Sequence, residues 1–377
     1  MIRAVACDNS HDASLAARLR ARIARDGPIN IETFMEACLT DAAFGAYTSR
    51  QPVGAQGDFI TAPEISQIFG ELLGLWSVAV WQSIGEPGAI TMAELGPGRG
   101  TLTKDALRAW RGVPKFPERV SVALIETSPV MAEVQRKTLE ESRVPLGWYA
   151  ALDAVPEGPL IVLANEFVDA LPIRQFVRRG VAWRERLVTT DNKGGFVLVE
   201  GPASQPELTD LGDAVAEGAI LETRPALDGL LREFARRASR DPLAALIIDY
   251  GHAEFGFGDT LQAVRRHRFA DPLTNPGNAD LTAHVDFAEL TRRAAAFGLT
   301  THGPLSQGEF LLKLGIGERC ERLLKSATPA QGEAIASGVT RLIDPRQMGM
   351  LFKVLALTSF GLASPPPFGP ANFTLSS

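Results

Sequence analysis

The stretch MAELGPGRGTL, Met92 to Leu102, decides the fold of this chain. Ile90 to Leu95 is a short apolar run that suits a buried strand. It breaks at Gly96-Pro97-Gly98-Arg99-Gly100, and Thr101 to Arg111 then has the character of a helix. Strand, glycine turn and helix form the ligand-facing corner of a doubly wound α/β sheet. Gly96, Gly98 and Gly100 lack a Cβ, so the backbone turns with φ above zero and a ligand can approach the main chain. The helix start offers unpaired N–H groups. The spacing is GxGxG and not the GxGxxG of dinucleotide sites. Glu94, two residues before the first glycine, puts a carboxylate at the same crevice. S-adenosylmethionine suits that combination, because its sulfonium and amino groups are positive and it has no pyrophosphate. Alone, the glycine spacing is equally compatible with a turn that binds nothing.

Composition bounds the rest. The chain has 377 residues, 45% hydrophobic and 22% charged, which fits one large globular domain with additions or two domains. A formal net charge of -6 without a basic block argues against a nucleic-acid surface. Three scattered cysteines, Cys7, Cys38 and Cys320, give neither a metal spacing nor a disulfide framework. A reducing compartment, the cytoplasm or the mitochondrial matrix in a eukaryote, is therefore expected. No apolar stretch approaches the roughly 20 residues that span a bilayer. The N-terminus carries Asp8 and Asp12 and lacks the features of a secretion or transit signal.

Outward from the glycine turn, strand and helix alternate. Val120 to Ile125 is a second strand and Gly147 to Leu152 a short third. Leu160 to Ala164 is a buried fourth, and Ala244 to Asp249 a buried fifth that ends on Tyr250-Gly251-His252. Met350 to Thr358 is a last strand, and GEFLLKL within Leu299 to Leu314 has strand character. Ile173 to Val199 alternates apolar and charged residues and predicts an inserted antiparallel meander. Before the turn, helices are expected from Leu15 and from Ile31, the second capped by Asn30. Ile65, Ile68, Phe69, Leu72, Leu73 and Trp76 form a core-facing helical stripe. The fold class is thus α/β, a mostly parallel seven-stranded sheet with helices on both faces. The expected organisation is an N-terminal helical cap over 1–85 and a core over 86–363. The core carries the meander at about 173–200 and a lid-like segment of little regular pattern at about 253–284. An irregular tail occupies 364–377.

Candidate ligand groups follow from strand ends. Glu126, after the second strand, stands where an acid binds ribose hydroxyls. Asn165, Glu166 and Asp169 follow the fourth strand, at the carboxyl edge where such sheets hold ligands. Asp58, in the glycine-rich loop before Phe59, is a ligand group or a turn-former. His252 and His284 are second contacts or structural histidines.

The order of elements resembles the class I S-adenosylmethionine-dependent methyltransferases, and within them the MidA family. The residues that carry the resemblance are GDFITAPEISQIFGELLGLW (Gly57 to Trp76), ELGPGRGTL (Glu94 to Leu102) and ANEFVDALP (Ala164 to Pro172). IIDYGH (Ile247 to His252) and DLTAHVDF (Asp280 to Phe287) complete the set. They occur in family order across nearly the whole chain. One departure lies at Asp41 to Tyr47, where one aromatic of the family's turn is displaced. The resemblance implies methyl transfer to protein arginine, by analogy on a subunit of respiratory complex I, with symmetric dimethylarginine as product. A homodimer is compatible with it, and no metal is implied. Under that reading Glu94, Gly96, Gly98, Gly100, Glu126, Asn165 and Asp58 bind cofactor. Glu166 and Asp169, three apart at the start of an expected helix, clamp the acceptor guanidinium, with His252 as a further contact. A SAM-binding assembly factor without turnover is the alternative. A nicotinamide dehydrogenase is disfavoured by the glycine spacing and by Glu94.

Overall fold

The apolar runs form a central sheet in the computed structural model, which describes residues 14–49, 60–206 and 215–369. Its strands are β1 (Ile90–Leu95), β2 (Val120–Ile125), β3 (Leu146–Tyr149), β4 (Leu160–Asn165), β5 (Leu243–His252), β6 (Thr300–Ser306) and β7 (Phe352–Thr358). Their spatial order is β6-β7-β5-β4-β1-β2-β3. β1 to β5 run parallel, and β7 enters antiparallel between β5 and β6. The pair Val285–Asp286 extends the sheet beside the end of β5. The chain steps from β1 outward to β3 and then returns to β4 on the other side of β1, so the strand order reverses between β1 and β4. Ligands of such sheets bind at that reversal, beyond the strand carboxyl ends. Register places the ends level: Leu95 is opposite both Ile125 and Ala164, and Asn165 is opposite Ile248.

Both faces of the sheet are covered. On one, helix Gln67–Ser83 packs against helix Thr101–Trp110 with Phe69, Trp76, Leu102, Trp110 and Phe310 fully buried. The two helices nearly touch at their backbones. A Cβ at Gly74 would lie 2.7 Å from the Ala106 Cα, and the Gly74 carbonyl accepts from Trp110 Nε1 at 2.8 Å. On the other face helices Ala226–Ala238 and Phe287–Ala296 bury Leu231, Phe234, Phe287 and Leu290. The expected core-facing stripe is therefore core, although Ser66 interrupts it by ending a short Ala62–Ile65 turn and capping the long helix. Helix Gln67–Ser83 thus packs with the central sheet.

The meander forms and is larger than expected. Arg174–Arg179, Ala182–Thr190, Phe196–Ser204 and Ile220–Thr223 build an antiparallel sheet, to which Ile29–Asn30 adds an edge. Helices Leu15–Asp26 and Ile31–Thr40 lie on it through Leu19, Ile23, Phe34 and Met35, and Asn30 caps the second by accepting from Thr33 N–H at 2.8 Å. Three expectations are corrected. The 253–284 segment is ordered by a three-stranded antiparallel sheet of Gln262–Arg265, Arg268–Ala270 and Asp280–Thr282, strands too short and polar to show a period. GEFLLKL is helix Gln307–Lys313, started by Ser306, whose hydroxyl accepts from Glu309 N–H. The strand beside it is instead Thr300–Ser306, a polar sequence held by pairing with β7. Finally, no helix begins at Glu166. Its φ is +50°, and Asp249 within β5 captures the next turn by accepting from Val168 N–H at 2.9 Å and Asp169 N–H at 3.1 Å.

Candidate active site

Beyond the ends of β1, β2 and β4 lies a cavity of about 900 Å³. Glu94, Gly96, Gly98, Glu126, Asn165 and Glu166 all line it. The glycine turn has φ of +61° at Gly96, +51° at Gly98 and +80° at Gly100, the last being the residue before helix Thr101–Trp110. These left-handed values favour residues without a Cβ, and at Gly96 an added Cβ would sit 3.0 Å from the Phe167 ring. Gly100 itself does not border the cavity. Asp58 lies outside the described residues.

The acids differ in how they are held. Glu94 is 4% exposed and bonded to the Thr103 hydroxyl; burial pushes its carboxyl up to about 7 against that bond. Glu126 accepts from Ser128 N–H at 2.8 Å and from Gln135 Nε2 at 2.9 Å. Burial raises its carboxyl and these two donors oppose the rise. Gln135 is a residue that sequence reasoning missed. It is fully buried, and its amide also donates to the Gly98 carbonyl at 2.8 Å while its oxygen accepts from Trp148 Nε1 at 3.0 Å. One side chain thereby ties the glycine turn to Glu126. Nothing in the local pattern of helix Pro129–Thr138 distinguishes it from a core glutamine.

After β4, Glu166 accepts from Ala62 N–H at 3.0 Å and from Asn165 Nδ2 at 3.3 Å. Burial, and then the Asp169 charge, push its carboxyl up to about 8, although the Ala62 N–H opposes this. Its left-handed backbone is fixed by an N–H bond to the Ile248 carbonyl at 2.8 Å. Non-glycine residues in that region cluster at functional positions. Asp169 is 5% exposed and lies behind the wall rather than on it; burial raises its carboxyl, and Oδ1 has no hydrogen-bond partner. Tyr47, from the N-terminal region, lines the cavity and donates to Asp280 Oδ1 at 2.6 Å. His252 is elsewhere. With His284 it borders a separate cavity of about 240 Å³, and its Nδ1 lies 2.5 Å from the Glu254 carbonyl. His252 and Asp169 therefore do not share the cavity wall with Glu166, because β5 carries His252 past the end of β4 and the tight turn directs Asp169 inward.

The charge balance of the cavity is acidic: Glu64, Glu94, Glu126, Asp153, Glu166 and Glu233 face Arg99, Arg232 and Arg236. The two Arg232 and Arg236 positions come from helix Ala226–Ala238 and were not foreseen. Arg99 is paired with Glu64 at 3.4 Å and Arg236 with Glu233 at 2.8 Å. A cradle of three left-handed glycines, an oriented strand-end carboxylate and a buried Asn165 Oδ1 without a partner fit S-adenosylmethionine. Among the described residues no group of three or more His, Cys, Asp or Glu is placed to hold a metal ion, and no helix is long and apolar enough to cross a membrane. The described cysteines, Cys38 and Cys320, are free.

Comparison with known proteins defines the class. Residues 72–305 match the family model described as "Putative S-adenosyl-L-methionine-dependent methyltransferase". The chain belongs to this family and is an S-adenosylmethionine-dependent methyltransferase. Among its relatives, the mitochondrial protein arginine methyltransferase NDUFAF7 homolog of Drosophila melanogaster is 38% identical, over 91% of this chain and 84% of that protein. The mitochondrial protein arginine methyltransferase NDUFAF7 of Homo sapiens is 37% identical, over 90% and 82%. A crystal structure from Burkholderia thailandensis, bound to S-adenosyl-homocysteine, superposes with a TM-score of 0.80 at 30% identity and covers 96% of both chains.

Proposed function

We propose that this methyltransferase modifies arginine in a protein, and that Glu166 is the residue that engages the acceptor. The observation that carries the reading is a carboxylate in a left-handed turn at the cavity wall, backed by further buried acids, beside the glycine turn. The relatives' names support arginine as the acceptor.

S-adenosylmethionine, when bound, supplies a methyl group already made electrophilic by its sulfonium. What remains for the chain is to bind, orient and exclude water. Gly96, Gly98 and Asn165 would hold the cofactor's main body, Glu126 its ribose and Glu94 its cationic end, with Gly100 shaping the turn. Glu166 orients the guanidinium, and a planar fork matches a carboxylate better than an ammonium does. The attacking nitrogen gains a methyl and loses one proton. Ionised beside the guanidinium, Glu166 takes that proton, and its burial makes it the stronger base. Asp169 contributes through the field behind Glu166 rather than by contact. Symmetric dimethylarginine as product and a respiratory complex I subunit as target are our extension of the family resemblance. Methyl transfer from labelled S-adenosylmethionine to a complex I subunit, followed by peptide mass spectrometry, tests this. Label on lysine or on no residue overturns the acceptor assignment.

A further inference from the structure

The 253–284 segment forms an arm tied to the cavity wall through Tyr47. Its root is strand Asp280–Thr282, where Asp280 accepts from Tyr47. Gln262–Arg265 pairs with that root and runs outward to a tight turn, returning as Arg268–Ala270 at the sheet edge. Arg265 and Arg268 face each other across the hairpin, so two like charges are direct neighbours. The turn residues between them, Arg266 and His267, have φ of +49° and +62°, where asparagine and glycine are the usual occupants. All of Arg265 to Ala270 is exposed, and Phe269 is 80% exposed. Arg174, Arg179, Arg186 and Arg236 elsewhere are each paired with a carboxylate. The side chains of Arg265 and Arg268 have no such partner among the described residues, in a chain whose acids outnumber its bases 44 to 38.

We infer that this hairpin is a docking arm for the acceptor protein, recognising an acidic segment of it and placing its arginine at the cavity. The inference rests on the acceptor being a protein. Clustered arginines beside an exposed aromatic attract an acidic surface and give it an apolar contact. The Tyr47–Asp280 bond ties the root of the arm to the wall of the methyl-transfer cavity, which favours the acceptor over a membrane or a nucleic acid.

Two labelled peptides test it, each with one arginine, flanked in one by glutamates and in the other by glutamines. Fluorescence anisotropy on the full chain with S-adenosyl-homocysteine should show the glutamate peptide binding roughly tenfold tighter at low salt. The gap should narrow as ionic strength passes about 0.15 M. Arg265→Gln with Arg268→Gln should abolish the preference, and Arg265→Glu with Arg268→Glu should reverse it, with S-adenosyl-homocysteine affinity unchanged in both. Equal binding of the peptides by the parent, or a preference kept in the double variants, overturns the proposal. So does binding to phosphatidylglycerol vesicles that the same substitutions abolish, which would assign the arm to a membrane surface. Transfer to the peptide arginine is scored separately: glutamate preference without transfer supports the arm and counts against arginine as acceptor.

Discussion

Glu126 uses two of its carboxylate's roughly four lone-pair positions on Ser128 and Gln135 and leaves the others for a ligand. Hydrogen bonds to a charged group are worth about 1.5–3 kcal/mol, so Glu126→Ala should weaken S-adenosyl-homocysteine at least about tenfold by calorimetry. A loss under about twofold would remove Glu126 from the ribose position. Glu166 makes a different demand. Glu166→Gln keeps both accepted bonds possible and leaves no carboxyl group to pair with the guanidinium or take its proton. Cofactor affinity should survive and methyl transfer should stop, since the missing interaction acts on the acceptor. The same substitution has a signature in stability. The folded protein holds the Glu166 proton up to about 8, above the ordinary 4.5. The group's contribution is whole below the lower value and is lost as pH rises through the upper one. Denaturant melts should therefore show the variant gaining on its parent from about pH 5 to about pH 9. A gap that is flat across that range would mean that the carboxyl is not desolvated.

The glycine turn and the helix pair beneath it are the elements on which the cavity stands. Gly98 has φ of +51°, and a branched side chain there is strained and crowds the ligand. Gly98→Val should abolish measurable S-adenosyl-homocysteine binding in a protein that still gives a cooperative melt; parental affinity would sink the cradle. Gly74→Val acts lower down, by forcing helix Gln67–Ser83 off Ala106. Overpacking of this kind costs about 1–3 kcal/mol, to be read as a lowered denaturant midpoint with unchanged m. These elements were plain in the sequence. β1 and β2 have the ends expected of them, because an apolar run bounded by glycine, or by an acid and proline, has one reading. The misread elements fail for identifiable reasons. Phe310, Leu311 and Leu314 are as apolar as a strand, and the deciding signal was Ser306 followed three residues later by Glu309. At Glu166 the expected helix lost to Asp249, a residue 83 positions on that bonds to the backbone there, and no local pattern reports such a partner. Gln135 and the cavity position of Tyr47 are invisible for the same reason.

At the scale of the whole molecule the cavity is assembled from distant parts: Tyr47 and Thr61 from the N-terminal region, the turn after β1, the end of β4 and helix Ala226–Ala238. A ligand that needs all of them should brace the entire fold. At a hundredfold excess over its dissociation constant, S-adenosyl-homocysteine should stabilise by about 2.7 kcal/mol, with a melting temperature that rises with ligand concentration. A melt indifferent to the ligand would place binding outside the cooperative unit. The position of β7 has a consequence for synthesis. It is the last strand of the sheet to be made, yet it belongs between β5 and β6, which are already translated. Until Phe352 to Thr358 leave the ribosome, the nascent chain carries the apolar β5 and the polar β6 beside an empty slot. Their open edges invite pairing with another chain. A stop codon just before Phe352 removes no residue that lines the cavity, yet its product should partition into the insoluble fraction.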